Sequence, residues 1–354
     1  MIMKAKLIVE KAGLFTTVQD FGRYGYQQFG VPVSGAMDKY ALQVANLLVG
    51  NPRGEASLEI TLPGFSTRIT EDCQIALAGA DLAAVLGDRQ LSPWRSAIAK
   101  EGEVLSFNEI KSGTRAYLAV AGGFKLPEVM GSKSTYVRGK LGGLEGRQLK
   151  KGDELEIINT NQSSCPAVRE VPHEYKREYT NEVTVRCVPG PQDEFFPQQE
   201  LEKFFNSQYT ITQQSDRMGY RLDGPAIKHK GDYNIITEGL TLGAVQIIGD
   251  GKPIVMMADH HSAGGYSKIA HVITVDMHFL AQMKPGDKVS FQKIDVEEAQ
   301  MLLGDQEEKL KKLERQLIYG EEDQVSGERE KGRIRIFKVL VDGKEYSVLV
   351  EEID

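Results

Sequence analysis

Glycines and polar side chains crowd the stretch Gln19–Gln28, which reads QDFGRYGYQQ. Gly22 and Gly25 permit sharp backbone turns and a close approach to a ligand. The segment PVSGAMD that follows leads into a predicted helix, whose free N–H groups and dipole favour a carboxylate or phosphate. We therefore predict part of a site for a small anionic or amide-like ligand, or else an aromatic loop over a β-barrel with Ser34 as a helix cap. The candidate side chains are Gln19, Asp20, Arg23, Tyr24, Tyr26, Gln27 and Gln28.

A second candidate group lies in SDRMGYRLDGP, residues 215–225. Arg217 and Arg221 flank a glycine, and two guanidinium groups in such a place can donate paired hydrogen bonds to a carboxylate or carbonyl. The alternative is a strand whose arginines pair with Asp216 and Asp223 at the surface.

The third group spans residues 237–272 and contains Glu238, Gln246, Asp259 and Lys268. Lys268 follows a Gly-Gly-Tyr sequence, so its ammonium would lie over a surface lined by glycine. A partly buried lysine can hold a carboxylate or act as an acid–base group through a shifted pKa. A solvated lysine on a loop is the alternative.

Histidines and cysteines do not predict a metal site or a catalytic thiol. Neighbouring His260 and His261 would point to opposite faces of a strand, His271 and His278 would also oppose, and no HxH or HExxH occurs. The three cysteines form no CxxC pair and favour a reducing cytoplasm, and the apolar surroundings of Cys73 and Cys187 predict core positions for these two. A phosphate-binding loop is also missing from the sequence, so any ATP would be bound by another chain.

Short apolar runs of about 4–8 residues, separated by Gly, Pro, Asp and Asn, predict the strands that position these groups. Their frequency favours antiparallel barrels over an alternating α/β fold. A weak repeat, AVAGGF against HSAGGY, indicates a duplication. We predict a mainly β protein with short helices: one barrel over 1–160, a linker over 161–180 and a second barrel over 181–294.

Apolar spacing predicts helices over 37–49 and 197–206. A charged helix and spacer follow over 295–330, with Asp295 and Glu298 as a capping box and Gly304 as a point where the helix could break. Residues 331–354 alternate as a β-hairpin around an Asp-Gly turn.

Net charge and hydropathy argue against binding to nucleic acid and against a membrane span. The chain of 354 residues carries a net charge of −7 without a concentrated basic region, which argues against nucleic acid. Apolar runs stay far below the roughly 18 residues of a membrane span, and the short N-terminal run predicts a strand rather than a signal peptide.

Several long segments together resemble the biotin-dependent carboxyltransferase / 5-oxoprolinase C-subunit family, also called KipA or allophanate hydrolase subunit 2. The resemblance covers about 1–294 and implies a pair of cyclophilin-like β-barrels. The tail resembles the first two strands of a biotin-carrier domain without the biotinylated Ala-Met-Lys-Met segment, as a remnant or a docking hairpin; a generic hairpin is the alternative. The matching segments are GLFTTVQDFGRYGYQQFGVPVSGAMDKYALQVANLLVGNP, ASLEITLPG, SDRMGYRLDGP, TEGLTLGAVQIIGDGKPIVMMAD and GGYSKIA.

The resemblance extends the set of candidate site residues. His260 and His261 stand where the family usually has Arg-Gln, so they are not expected to be shared catalytic groups, and substrate choice stays open. The positions on family motifs are Gln19, Asp20, Arg23, Gly25, Ser34, Gly35, Met37, Asp38, Asn46, Glu59, Arg217, Met218, Gly219, Arg221, Glu238, Gln246, Asp259, Gly264, Gly265 and Lys268.

The family implies one component of an ATP-dependent 5-oxoprolinase, which forms a composite site with a B subunit (KipI-like) and works with an A subunit. From side-chain chemistry, Arg23, Arg217 and Lys268 would hold the carboxylate or polarise the lactam carbonyl, and Glu238 or Asp20 would move protons. No cofactor is expected on this chain itself; ATP would come through the partner. The alternatives are a carboxyltransferase of a urea-type carboxylase, with biotin on a separate carrier, and a regulatory binder of a KipI-like kinase inhibitor. A prolyl isomerase is disfavoured because its motifs lie elsewhere.

Overall fold

The computed structural model describes residues 5–158, 168–319, 334–341 and 344–351. These residues form a mainly β fold with a closed barrel and few helices, which confirms the predicted fold class. One compact unit ends at Ile318, and a second unit begins at Tyr319.

The described part of the first half contains two antiparallel sheets. One has the order β11-β1-β4-β9-β6-β7 and the other β2-β3-β10-β5-β8. Alternating buried residues from both sheets, among them Leu7 and Leu58, share a single apolar core. The strands are β1 (Lys6–Ala12), β2 (Phe15–Gln19), β3 (Ser57–Thr61), β4 (Phe65–Ile69), β5 (Cys73–Asp81), β6 (Ala84–Leu86), β7 (Arg89–Leu91), β8 (Arg95–Ala99), β9 (Val104–Phe107), β10 (Ser112–Val120) and β11 (Glu154–Glu156).

The second half forms a closed barrel of seven strands in the order β12-β19-β16-β17-β14-β13-β20. The last strand closes it by pairing in parallel with β12 and antiparallel with β13. Strands β15 and β18 stand outside the barrel as a two-stranded ribbon. The strands are β12 (Glu182–Pro189), β13 (Gln208–Ile211), β14 (Gly219–Asp223), β15 (Asn234–Gly239), β16 (Ala244–Ile247), β17 (Pro253–Met256), β18 (Ala263–Tyr266), β19 (Lys268–Val272) and β20 (Lys288–Lys293).

Helices join the two halves. The predicted helix over 37–49 is α1, and Asp38 caps it by accepting a hydrogen bond from the Ala41 N–H at 2.9 Å. Met37, just before this helix, lies in the apolar core of the barrel. The described helices are α1 (Lys39–Leu48), α2 (Gln198–Phe205), α3 (Met277–Ala281) and α4 (Val296–Tyr319).

Helix α4 begins beside the barrel and reaches the first half. Asp295 caps it by accepting from the Glu298 N–H at 2.7 Å, as predicted. Leu310 and Leu313 are fully buried against α1. The helix does not break at Gly304, because this packing outweighs the roughly 1 kcal/mol that a helical glycine costs. No described helix is long and apolar enough to cross a membrane.

The described part of the predicted linker packs against the first half. Val171, Tyr175 and Tyr179 are buried in the cluster that contains α1. In the second unit, β21 (Ile334–Val341) and β22 (Lys344–Glu351) form the predicted hairpin, whose Asp-Gly turn lies outside the described residues.

Candidate functional site

Arg217 is the centre of a buried ionic cluster between the two halves. Its Nε donates to Asp259 Oδ2 at 2.9 Å, and its Nη2 donates to Asp259 Oδ1 at 3.2 Å and to the Gly35 carbonyl at 2.6 Å. Its Nη1 donates to Glu59 Oε1. Burial alone would lower the pKa of Arg217, but the two carboxylates outweigh it and raise the pKa above its usual value. The cluster therefore binds four predicted site residues to one another.

The network continues from Glu59 to the start of α1. Glu59 Oε2 accepts from the Met37 N–H at 2.8 Å and from the Tyr117 hydroxyl at 2.7 Å. Asp38 Oδ2 accepts from Tyr179 at 3.0 Å and from Gln282 Nε2 at 2.8 Å. Carboxylates of the protein itself therefore take the place near the helix N-terminus that the sequence suggested for a ligand anion.

Asp20 holds the glycine-rich loop against residues 132–134. Its carboxylate accepts from the Gly22 N–H at 2.7 Å, the Ser132 hydroxyl at 2.7 Å and the Lys133 N–H at 2.6 Å. The Ser134 hydroxyl is a fourth donor. Three of these donors bind Oδ1 and one binds Oδ2, so this geometry favours a positioning role for Asp20.

Arg23 is fully buried yet incompletely paired. Its Nη2 donates to the Ser134 carbonyl, but its Nε and Nη1 have no partner among the described residues. Burial lowers its pKa, against the opposing charges of Asp20 and Asp259. The Oε1 of Gln19 and the Oγ of Ser34, a residue in the left-handed region at φ 57°, are also buried without a described partner. The loop thus retains hydrogen-bonding capacity that its own fold does not use.

A second group forms around Lys268 at the start of β19. The side chain is 7% exposed, and its Nζ donates to Glu238 Oε2 at 2.9 Å. Glu238 lies on the ribbon strand β15 with half of its side chain exposed. The hydrogen bond from Lys268 lowers the pKa of Glu238. An ammonium and a carboxylate are therefore held together where the barrel meets solvent.

Gln246, Gly264 and Gly265 lie beside this pair. Gln246 is the register partner of Lys268 in the barrel, and Gly264 is that of Glu238 in the ribbon. A Cβ on Gly264 would stand 2.9 Å from Gln246 Nε2, so a larger residue here would make this flexible side chain shift. The hydrogen bonds of Lys268 and Glu238 stay within this group and do not extend to the Arg217 cluster in the part of the chain described.

Three predicted residues stand outside both groups. Tyr24 is exposed, and its hydroxyl accepts from Lys39 Nζ at 2.6 Å. Arg221 is exposed on β14, and Met218 makes backbone contacts, with its carbonyl accepting from the Met257 N–H at 3.0 Å. That these residues contact substrate stays a prediction.

The histidines do not converge. His260 Nδ1 lies 2.8 Å from the His261 carbonyl, and burial lowers the pKa of His260. Within the described ranges, no three His, Cys, Asp or Glu side chains are grouped as metal ligands would be.

Sequence reasoning missed Gln192, which bridges the Lys268 pair. Its Nε2 donates to Glu238 Oε2 at 2.8 Å, and its Oε1 accepts from the Lys268 N–H at 3.2 Å. The sequence feature that could have indicated Gln192 is the Gly-Pro-Gln turn after the apolar run of β12. A Cβ on Gly190 would stand 2.0 Å from the Lys268 carbonyl, so this glycine permits the contact.

Tyr117 and Gln282 were also missed. Both lie in apolar segments, and only the fold brings them to Glu59 and Asp38. No local spacing in the sequence marks them as polar partners.

Comparisons with known proteins agree on one family. The family described as "Carboxyltransferase domain, subdomain A and B" matches residues 29–293. The chain is 39% identical to the 5-oxoprolinase C subunit of Escherichia coli (strain K12), over 87% of this chain and 97% of that protein. It is 34% identical to the 5-oxoprolinase C subunit of Haemophilus influenzae, over 81% and 90%.

Among solved structures, the K. lactis urea amidolyase superposes with a TM-score of 0.83 at 32% identity. The match covers 88% of this chain, which spans 20% of that much longer protein. The chain is thus similar both to free-standing subunits and to one part of a larger enzyme.

Proposed function

The chain belongs to the carboxyltransferase-domain family, and on that premise we propose that it is the C subunit of an ATP-dependent 5-oxoprolinase. The reaction opens the lactam of 5-oxoproline to give glutamate. The observation that carries the proposal is the similarity to a 5-oxoprolinase C subunit over 97% of its length. Similarity over a whole subunit supports a shared role more strongly than a shared barrel would.

The Lys268 group supplies chemistry that suits this substrate. 5-Oxoproline carries a carboxylate and a lactam carbonyl, and a desolvated ammonium can bind the first or polarise the second. Glu238, ionised because Lys268 lowers its pKa, can accept a proton from an attacking water. We assign Lys268 to carbonyl or carboxylate binding, Glu238 to proton transfer and Gln192 to the orientation of both side chains.

Arg23 is the second proposed contact. Its unpartnered Nε and Nη1 are buried cationic donors on opposite sides of the guanidinium group, so each can donate one separate hydrogen bond to a substrate oxygen. Asp20 would act through this loop by fixing its path, not by proton transfer. Arg217 would hold the two halves in the arrangement that presents both groups.

The site is proposed to be composite. Glu238 is half exposed, so one side of the Lys268 group is open to a partner surface. We propose homologues of the B subunit (KipI-like) and the A subunit of 5-oxoprolinase as those partners, with ATP bound by them, and the cytoplasm as the location.

The test is ATP-dependent release of glutamate from 5-oxoproline by the chain assembled with its A and B partners. Lys268→Met should reduce the rate by about 100-fold or more if the ammonium stabilises developing charge. Lys252→Met is the matched control, because Lys252 forms a similar pair with Asp223 at 2.8 Å on another loop. Equal rates for the two variants would remove Lys268 from the mechanism.

Transfer of a carboxyl group to a urea-type nitrogen is the second candidate. The TM-score of 0.83 with a urea amidolyase favours it. The carboxyl group would arrive on biotin attached to a separate carrier protein, and this chain would contribute the same lysine and carboxylate. Avidin separates the two candidates: it stops a reaction that needs biotin and leaves 5-oxoproline hydrolysis unchanged.

A further inference from the structure

A cavity of about 290 Å³ lies away from the Lys268 group, between α1, α3, α4 and the glycine-rich loop. Its wall is mainly aromatic and aliphatic, and it includes Phe21, Tyr40 and Leu303. A volume of this size and a wall that combines apolar side chains with polar ones such as Lys39 and His278 are compatible with a small-molecule site. Neither Lys268 nor Glu238 lines it.

Most of the charge in the wall is already compensated. Arg53 Nη1 donates to Glu307 Oε2 at 3.0 Å and to Gln43 Oε1 at 3.3 Å. These three side chains join α4 to the first half and leave little free capacity for a ligand.

His278 is one lining group without such a partner. It is 6% exposed, and its Nδ1 donates to the Val275 carbonyl at 2.6 Å. Since a carbonyl can only accept, Nδ1 carries the proton, and burial lowers the pKa of the ring, which keeps it neutral. Nε2 is then an acceptor, and it has no partner among the described residues. It would accept a hydrogen bond from an N–H or O–H in the cavity.

Lys39 is the second group. Its Nζ lies 2.6 Å from the Tyr24 hydroxyl and 5.1 Å from the centre of the Tyr24 ring. Within the part of the chain that the structure describes, no carboxylate forms a salt bridge with it. An ammonium at the cavity wall without an anionic partner favours an anionic ligand.

We propose that this cavity binds a small carboxylate that carries an N–H or O–H donor on an apolar body. The carboxylate would pair with Lys39, the donor would face His278 Nε2, and the body would lie against Phe21 and Tyr40. Lactam carboxylates such as 5-oxoproline have this chemistry, so the choice of that probe rests on the proposed function. Because Leu303 and Glu307 form one wall, an occupied cavity would also hold α4 against the first half.

Calorimetric titration of the full chain with 5-oxoproline tests the proposal. Lys39→Met should weaken binding by about 10- to 100-fold, the usual loss for a charged hydrogen bond. The methyl ester, which lacks the anion, and cyclopentanecarboxylate, which lacks the N–H, should each bind more weakly to the unmodified chain. His278→Phe should weaken 5-oxoproline but not cyclopentanecarboxylate, and bound ligand should slow hydrogen exchange in α4.

Lys252→Met, which lies outside both the cavity and the Lys268 group, is the control and should bind 5-oxoproline as the unmodified chain does. Loss of binding in Lys268→Met with full binding in Lys39→Met would overturn the proposal, as would the absence of binding at tens of millimolar. Lys39→Met changes a half-buried side chain in the first turn of α1, so it remains informative if His278→Phe does not fold. Glutamate release by the assembled complex is measured separately. An inactive complex would refute the proposed function, and Lys39-dependent binding of 5-oxoproline would still support ligand binding in the cavity.

Discussion

Replacing Arg217 by methionine tests whether the ionic cluster holds the two halves together. The change removes a cation shared by Glu59 and Asp259, and it leaves Asp259 without its described ion-pair partner and Glu59 with the more distant Arg115, at 4.0 Å. Breaking a buried pair costs about 3–5 kcal/mol, because an uncompensated charge remains inside the protein. Since two carboxylates are affected, we expect the upper end, about 5 kcal/mol. The midpoint of thermal unfolding should fall by roughly 7 °C, because the entropy of unfolding of a unit of this size is about 0.7 kcal/mol/K.

Urea unfolding followed by circular dichroism measures this loss, and Arg221→Met is the matched control. Arg221 lies exposed on β14, just after the segment that carries Arg217, so its replacement should change the free energy of unfolding by about 0.5 kcal/mol or less. The folded Arg217→Met variant should bind protons more readily than its unfolded form, so its stability should fall further as pH rises from about 5 to 8. Adding Glu59→Gln and Asp259→Asn should restore much of the loss, since neutral groups are left. A deficit below about 1 kcal/mol, or one that is independent of pH, would refute the reasoning.

Three further predictions concern the Lys268 group and α4. Gly190→Ala should abolish glutamate release and destabilise the barrel, because the new Cβ would stand 2.0 Å from the Lys268 carbonyl; normal rates would contradict this. Because Lys268 lowers the pKa of Glu238, the ionised Glu238 should stabilise the folded chain at pH values above the usual pKa of a glutamate, and this stabilisation should be lost as the pH falls through the lowered pKa. In the Lys268→Met variant, an NMR titration should give a higher pKa for Glu238 than in the unmodified chain. Leu313→Ala should cost about 2–5 kcal/mol in urea unfolding, and the same change at the more exposed Leu303 about 1 kcal/mol or less; equal losses would argue against docking of α4.

Local patterns were sufficient for many secondary elements. Apolar spacing and capping residues predicted α1, and the capping residue Asp295 predicted the start of α4. The possible break at Gly304 did not occur. The cost of a helical glycine depends on the helix alone, whereas Leu310 and Leu313 stabilise α4 through contacts with α1, which is distant in sequence. Helix propensity does not include the free energy of such tertiary contacts.

Residues 168–180 show that composition can also hide tertiary contacts in a polar segment. Its polar composition predicted a linker, yet its few aromatic residues decide its position. Tyr175 and Tyr179 are buried, and the Tyr179 hydroxyl donates to Asp38 at 3.0 Å. Two buried tyrosines are too few to alter a prediction that is based on the composition of the whole segment.

The candidate site was predictable as a set of residues but not as an arrangement. Motifs selected Arg217, Glu59 and Asp38 without indicating that they form one network. Arg217 and Glu59 are 158 residues apart in the chain. Such pairing depends on how the two halves pack, which neither periodicity nor spacing encodes. The contact between Lys268 and Glu238 was not predictable either, because it depends on where the ribbon of β15 and β18 lies relative to β19.

The closure of the barrel by its last strand has a consequence for synthesis on the ribosome. Strand β20 lies between β12 and β13, so the barrel cannot close before residues 288–293 have left the exit tunnel. Gln282, 244 residues after Asp38, reaches its partner equally late. The nascent first half therefore waits with Asp38 lacking its Gln282 donor and Glu59 lacking Arg217, and the synthesis of residues 282–293 lets the barrel close and the contact with Asp38 form at nearly the same time.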